Sequence, residues 1–136
     1  MSHRQSSQIW LRLVALLGAW ALAACTPPLS NRRPETGEER ARSVQLAVEH
    51  ILHARCDLEE RCANIGPGQK FDSHSACESK MQGETAVTLN TSDCPLGVEA
   101  RKLDACVSSI LAQDCGNMFD ALNRWNACRT GQVCYQ

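Results

Sequence analysis

Nine cysteines and four histidines carry most of the chemical range of this 136-residue chain. A cysteine can cross-link, bind metal, attack a substrate or accept a modification, and number and spacing separate these roles. Eight follow one another from the middle of the chain: Cys56, Cys62, Cys77, Cys94, Cys106, Cys115, Cys128 and Cys134. No pair stands as C-x-x-C, so the spacing offers neither a thioredoxin-like redox couple nor a zinc ribbon, and no C-x-x-C-H invites haem. An even set of this density predicts structural half-cystines. Cys25 is the odd ninth.

The histidines offer a second chemistry. His50 and His53 stand three apart, and together they could grip a metal such as zinc, with Glu49 or Glu59 nearby and Cys56 next in line. Recruiting Cys56 would leave an odd number of half-cystines, so surface histidines beside a structural disulfide are the expectation, and no metal or other cofactor is expected. A hydrolytic triad needs an activated serine and a histidine oriented by a carboxylate. Ser73, Ser75, Ser108 and Ser109 show no nucleophile-elbow pattern to set against His50, His53 or His74. Asp57, Glu59 and Glu60, interleaved with Arg55 and Arg61, read as a solvated helix face. Lys70 after Gly66 and Gly68 lacks the spacing of a phosphate loop and the strand before it. No catalytic set emerges, and the chain is expected not to be an enzyme.

Cys25 closes the run Leu22-Ala23-Ala24-Cys25. Before it, Met1 to Arg12 carries His3, Arg4 and Arg12 and no acid, and Leu13 to Ala24 is a run of 12 apolar residues. As a helix that run spans roughly 18 Å, short of the ~30 Å of a bilayer core. It is laid out as a cleaved signal. The junction resembles a bacterial lipoprotein lipobox. That resemblance implies a diacylglycerol on the Cys25 thiol, cleavage before it, and, with Thr26 rather than Asp at the next position, sorting to the outer membrane. Several acyl chains anchor stably, at ~0.8 kcal/mol per buried CH₂. In such a protein the sequon Asn90-Thr91-Ser92 is a chance match.

Loss of Arg4 and Arg12 with the signal leaves 12 basic and 15 acidic side chains, a balance of −3 over 112 residues. With no basic run and few aromatics, no nucleic-acid partner is expected. The expected organisation is a signal over 1–24, a lipidated cysteine and flexible tether over 25–38, and one cysteine-rich domain over 39–136. Thr26 to Glu38 holds three prolines and little apolar surface to offset its ordering entropy.

Four helices must position the cysteines. Glu39 to about Cys62 carries Ala41, Val44, Val48, Ile51, Leu58 and Cys62 at helical spacing, widened by Ala47 and Leu52 and interrupted by Arg55. Ile65-Gly66-Pro67-Gly68 ends it. The second runs from about His74 to Leu89 behind an Asp72 or Ser73 cap, and Gly83 and its β-branched residues lower its propensity. The third spans about Val98 to Gln113 and buries Leu103, Cys106, Val107, Ile110 and Leu111. The fourth spans about Met118 to Arg129, with Met118, Leu122, Trp125 and Cys128 on one face, and Thr130-Gly131 ends it. No strand pattern appears. The expected fold is all-α, a small disulfide-stapled antiparallel bundle of about four helices.

Eight cysteines allow 105 connectivities. Folding the last two helices about Asn117 sets Cys106 opposite Cys128 and Cys94 near Cys134. Cys62 at one helix end and Cys77 at the next helix start would meet, leaving Cys56 for Cys115. The expected bridges are Cys56–Cys115, Cys62–Cys77, Cys94–Cys134 and Cys106–Cys128.

The segments Ala54-Arg55-Cys56-Asp57, Arg61-Cys62, Ile65 to Phe71, Asp93-Cys94-Pro95, Leu103-Asp104-Ala105-Cys106, Asp114-Cys115-Gly116-Asn117 and Ala127 to Gly131 resemble a family of small cysteine-rich bacterial lipoproteins labelled natural product biosynthesis lipoprotein. The resemblance implies association with secondary-metabolite genes and supplies no catalytic or binding residues. Three functions are therefore carried forward. The first is a membrane-anchored, non-enzymatic accessory module with an unidentified protein or small-molecule partner. The second is a binder of a small apolar ligand in a pocket lined by Ile51, Val107, Ile110, Leu111 and Leu122. The third is a metal-dependent enzyme using His50 and His53.

Overall fold

The computed structural model describes residues 30–117 and 128–136. The signal, Cys25, the first residues of the tether and most of the expected fourth helix, with Met118, Leu122 and Trp125, lie outside the described residues. Within them the chain is all-α: α1 (Gly37–Arg61), α2 (His74–Thr88), α3 (Ala100–Leu111) and the single turn α4 (Thr130–Val133). No strand forms among the described residues, only isolated bridges between Ile65 and Phe71 and between Val98 and Cys134. No described helix is long and apolar enough to cross a membrane.

The long helix α1 is the spine, packing against both α2 and α3, while α3 also meets α4. It can serve both because it carries two apolar rows. Val44, Ala47, Ile51, Ala54 and Leu58 recur at alternating steps of three and four, and they pack with Leu103, Cys106 and Ile110 of α3 and with Leu89, Val98 and Val133. One position around the helix, Leu52 and Cys56 form a second row, which packs with Phe71 and with Cys77 and Met81 of α2. Ala41, expected in the stripe, is exposed, as is much of Leu111, expected on the buried face of α3. Arg55 sits between the rows, half-buried, donating to Thr85 Oγ1 at 3.3 Å and reaching Glu84 at 3.4 Å.

Helix α1 starts at Gly37, two residues before the expected Glu39 and inside the expected tether. The cause is a capping box: the Thr36 hydroxyl accepts from Glu39 N–H at 3.1 Å, and the Glu39 carboxylate accepts from Thr36 N–H at 3.0 Å. The tether residues just before it are also built into the domain. Arg33 stacks 5.5 Å above the Tyr135 ring. Arg40 donates to the Glu35 carbonyl at 2.8 Å. Pro34 lies against Gly97, which takes φ +84° where the loop after α2 closes onto α1. The buried Ser43 hydroxyl ties the two together, accepting from Val98 N–H at 3.2 Å and donating to the Arg40 carbonyl at 2.7 Å.

The far end of α1 is Arg61 with Cys62 as its cap, at the expected boundary, and Ala63 at φ 55° turns the chain ahead of Gly66-Pro67-Gly68. The loop that follows is pinned rather than open. Glu59 accepts from Asn64 at 2.6 Å and pairs with Lys70 at 2.5 Å. Phe71 closes the smaller core beneath it. Helix α2 then begins at His74 with Ser73 as its cap, accepting from Ala76 N–H at 3.1 Å, and it runs antiparallel to α1.

Four disulfides staple these elements. Cys94–Cys134 and Cys106–Cys128, Cα atoms 5.3 and 4.9 Å apart, are pairs common to the expectation and the structure. The other two exchange partners: Cys56 bonds Cys77 and Cys62 bonds Cys115, with Cα separations of 5.9 and 5.4 Å. The correction has a simple cause. Residues 62–73 form a loop long enough to carry α2 back up α1, so Cys77 draws level with Cys56 rather than with the helix end. The end itself, Cys62, is met by the chain leaving α3 at Cys115.

Candidate functional site

The face where α1 meets α2 gathers two of the three described histidines, His53 and His74, with three carboxylates. His53, Asp57 and Glu60 occupy one side of α1 at steps of four and three, a spacing that stacks side chains along a helix. His74 and Glu78, one helical turn apart, face them from α2. His53 Nδ1 lies 2.8 Å from Glu78 Oε1. The same oxygen lies 3.4 Å from His74 Nδ1, and the other ring nitrogen, Nε2, lies 3.3 Å from Asp57 Oδ1. One donor atom each from Asp57, Glu60 and His74 falls within 4.8 Å of the others. The cluster is at the surface, with side-chain exposure of 58% at Asp57 but 35% and 29% at His74 and Glu78.

The Cys56–Cys77 bridge sits directly beneath. Both cysteines are fully buried, and each immediately precedes a cluster residue, Asp57 and Glu78. The covalent link thus fixes the register of the two helices where the charged groups meet.

The alternative metal pair of His50 and His53 gains no third ligand among the described residues. His50 has no place in the cluster, and Cys56, considered beside that pair but expected to be a half-cystine, is one. The acids considered beside that pair are engaged elsewhere: Glu49 accepts from Gln45 at 3.1 Å and Glu59 holds the loop after α1. Asp57 and Glu60, read from sequence as a solvated face, are exposed and also confront His74. Ser73 is occupied as the α2 cap and by Ser75 at 3.0 Å, while His74 turns toward acids. Lys70 is paired with Glu59.

Of the residues considered for an apolar pocket, only Ile51 and Ile110 border a groove among the described residues. Ile51 and Ile110 are core residues, Val107 packs at the core edge, Leu111 is 38% exposed, and Leu122 lies outside the described residues. A groove of about 790 Å³ does open over Ile51, Leu89 and Ile110, walled by Arg55, Thr88 and Arg129.

Among comparisons with known proteins, one family model matches, over residues 56–136, more than half of the chain and all eight bridged cysteines; it is described as a family of unknown function (DUF6184). No curated protein and no solved structure matches.

Proposed function

The chain belongs to this family of unknown function (DUF6184), and from that premise we propose that it is a non-enzymatic accessory or interaction module held at a membrane by a lipid on Cys25. One observation carries the reading. Four bridges take up eight of the nine cysteines, and the ninth is Cys25, at the foot of the apolar run and its lipobox-like junction. Disulfides of this density suit an exported chain, and acylation is the use that the junction implies for the remaining thiol.

The deciding experiment is the intact mass of the protein extracted from membranes, with and without thiol alkylation in the absence of reductant. The expected species begins at Cys25, carries acyl chains and takes up no alkylating agent. A mass retaining residues 1–24, or two or more alkylated thiols, overturns the reading. A Cys25→Ser variant should leave the membrane fraction.

The finer reading places the module at the outer membrane, serving export, assembly or self-protection around a secondary metabolite. It rests on the resemblance of the cysteine-bearing segments to the lipoproteins so labelled. Deletion of the gene should lower metabolite export or producer resistance, and unchanged values of both remove this reading. The groove over Ile51, Leu89 and Ile110 favours a second function, the binding of a small apolar ligand. An apolar fluorophore should then brighten on binding, and Leu89→Gln should abolish the signal.

A further inference from the structure

We propose that Asp57, Glu60 and His74 bind a divalent transition-metal cation of the zinc class, with Glu78 orienting the imidazole. The inference does not depend on the lipid anchor. It begins with His74, whose two ring nitrogens both face carboxylates, Nδ1 toward Glu78 at 3.4 Å and Nε2 toward Asp57 at 3.3 Å. A neutral imidazole has one N–H and one lone pair. One nitrogen therefore meets a carboxylate oxygen acceptor to acceptor unless a cation stands between them. A proton can play that part for a single carboxylate. A metal on Nε2 does so for Asp57 and Glu60 together, and one donor atom each from Asp57, Glu60 and His74 already lies within 4.8 Å of the others.

The spacing of Asp57 and His74 suits the ion. Ligands ~2.0–2.2 Å from a tetrahedral zinc stand about 3.3–3.6 Å apart, close to the 3.3 Å between Asp57 Oδ1 and His74 Nε2. Metal-bound histidines commonly donate the other ring N–H to a carboxylate, which fixes the tautomer and strengthens the ligand. Glu78 is placed to accept that proton, and its shared contact with His53 at 2.8 Å steadies it. One nitrogen and two carboxylates form a donor set for zinc-class ions, whereas calcium and magnesium favour oxygen alone and copper(I) favours sulfur. The Cys56–Cys77 bridge holds the two helices in register before any ion arrives. The exposed side of Asp57 leaves room for water to complete the coordination.

The test uses the full chain, purified without a polyhistidine tag, stripped by chelation and titrated with Zn²⁺ in a calorimeter. One equivalent should bind. His74→Ala and the double variant Asp57→Asn, Glu60→Gln should each weaken binding by at least about tenfold, and Glu78→Gln by about 10–100-fold. His50→Ala should bind as the parent does. Each variant is first checked for four intact bridges by alkylation and mass, so a folding defect is separated from a lost ligand. An absence of saturable binding, or a one-equivalent site indifferent to His74→Ala and to the double acid variant, overturns the proposal and leaves His74 as an ion-pair partner of its carboxylates.

Discussion

Gly97 is the most tightly surrounded of the described glycines. A Cβ there would stand 2.8 Å from Ser43 Oγ and 2.9 Å from Pro34 Cγ, and the residue holds φ +84°. Both facts oppose any other side chain. Gly97→Ala should lose about 1–3 kcal/mol of stability, read as a lower urea midpoint with an unchanged m-value. Ser43→Ala should cost a similar amount, about 1–3 kcal/mol, because it leaves the buried Val98 N–H without its acceptor. The sequence marks neither residue: a serine within a helix and a glycine 54 positions later become partners only when the chain closes. The His74 cluster is hidden for the same reason. Asp57 and Glu60 follow helical spacing and so read as a solvent face, and only the return of α2 along α1 brings His74 and Glu78 to them.

Local signals decide the helix boundaries where they are strong. Asp72 or Ser73 ahead of His74 suffices to place the start of α2 despite its poor composition, because a cap acts within one turn, and the structure uses Ser73. The start of α1 is equally local, since Thr36 and Glu39 form a capping box, but the prolines before them suggest a tether that continues too far. The box has a pH signature. Glu39 is held below the ordinary glutamate range by the backbone N–H of Thr36 and then that of Glu35, with the Thr36 hydroxyl and Arg32 adding smaller contributions. A pKa lowered by folding contributes stability above its unfolded value, and the contribution is lost as pH falls through the folded value. In an acid titration the amide resonances of Glu35 and Thr36 should therefore move together, with a midpoint below that of an ordinary glutamate. Glu39→Gln should erase the shared step, and Thr36→Ala should cost about 1 kcal/mol.

Across the whole molecule, the two rows on α1 explain why so small a chain needs four bridges. The spine divides the apolar residues into two modest cores, and cross-links compensate for their size by restricting the unfolded chain. Cys62–Cys115 spans 53 residues and Cys56–Cys77 spans 21. Removing the longer loop as a Cys→Ala pair should cost about 4 kcal/mol and the shorter about 3 kcal/mol, measured by thermal unfolding with the other bridges intact. The exchanged pairing shows where sequence reasoning stopped: helix ends can be inferred from caps and breaks, but which residue lies level with which depends on the path of residues 62–73. The pairing that results has a further consequence. Cys56–Cys77 overlaps Cys62–Cys115 along the chain, and Cys62–Cys115 overlaps Cys94–Cys134, so every peptide bond from Cys56 to Cys134 lies inside at least one covalent loop. A protease that nicks the domain once anywhere in that stretch frees nothing: the pieces should migrate as one band until a reductant is added. Under the proposed anchoring at Cys25, shedding would require a cut ahead of Cys56, and the helical fold of α1 from Gly37 onward protects most of the described part of that stretch.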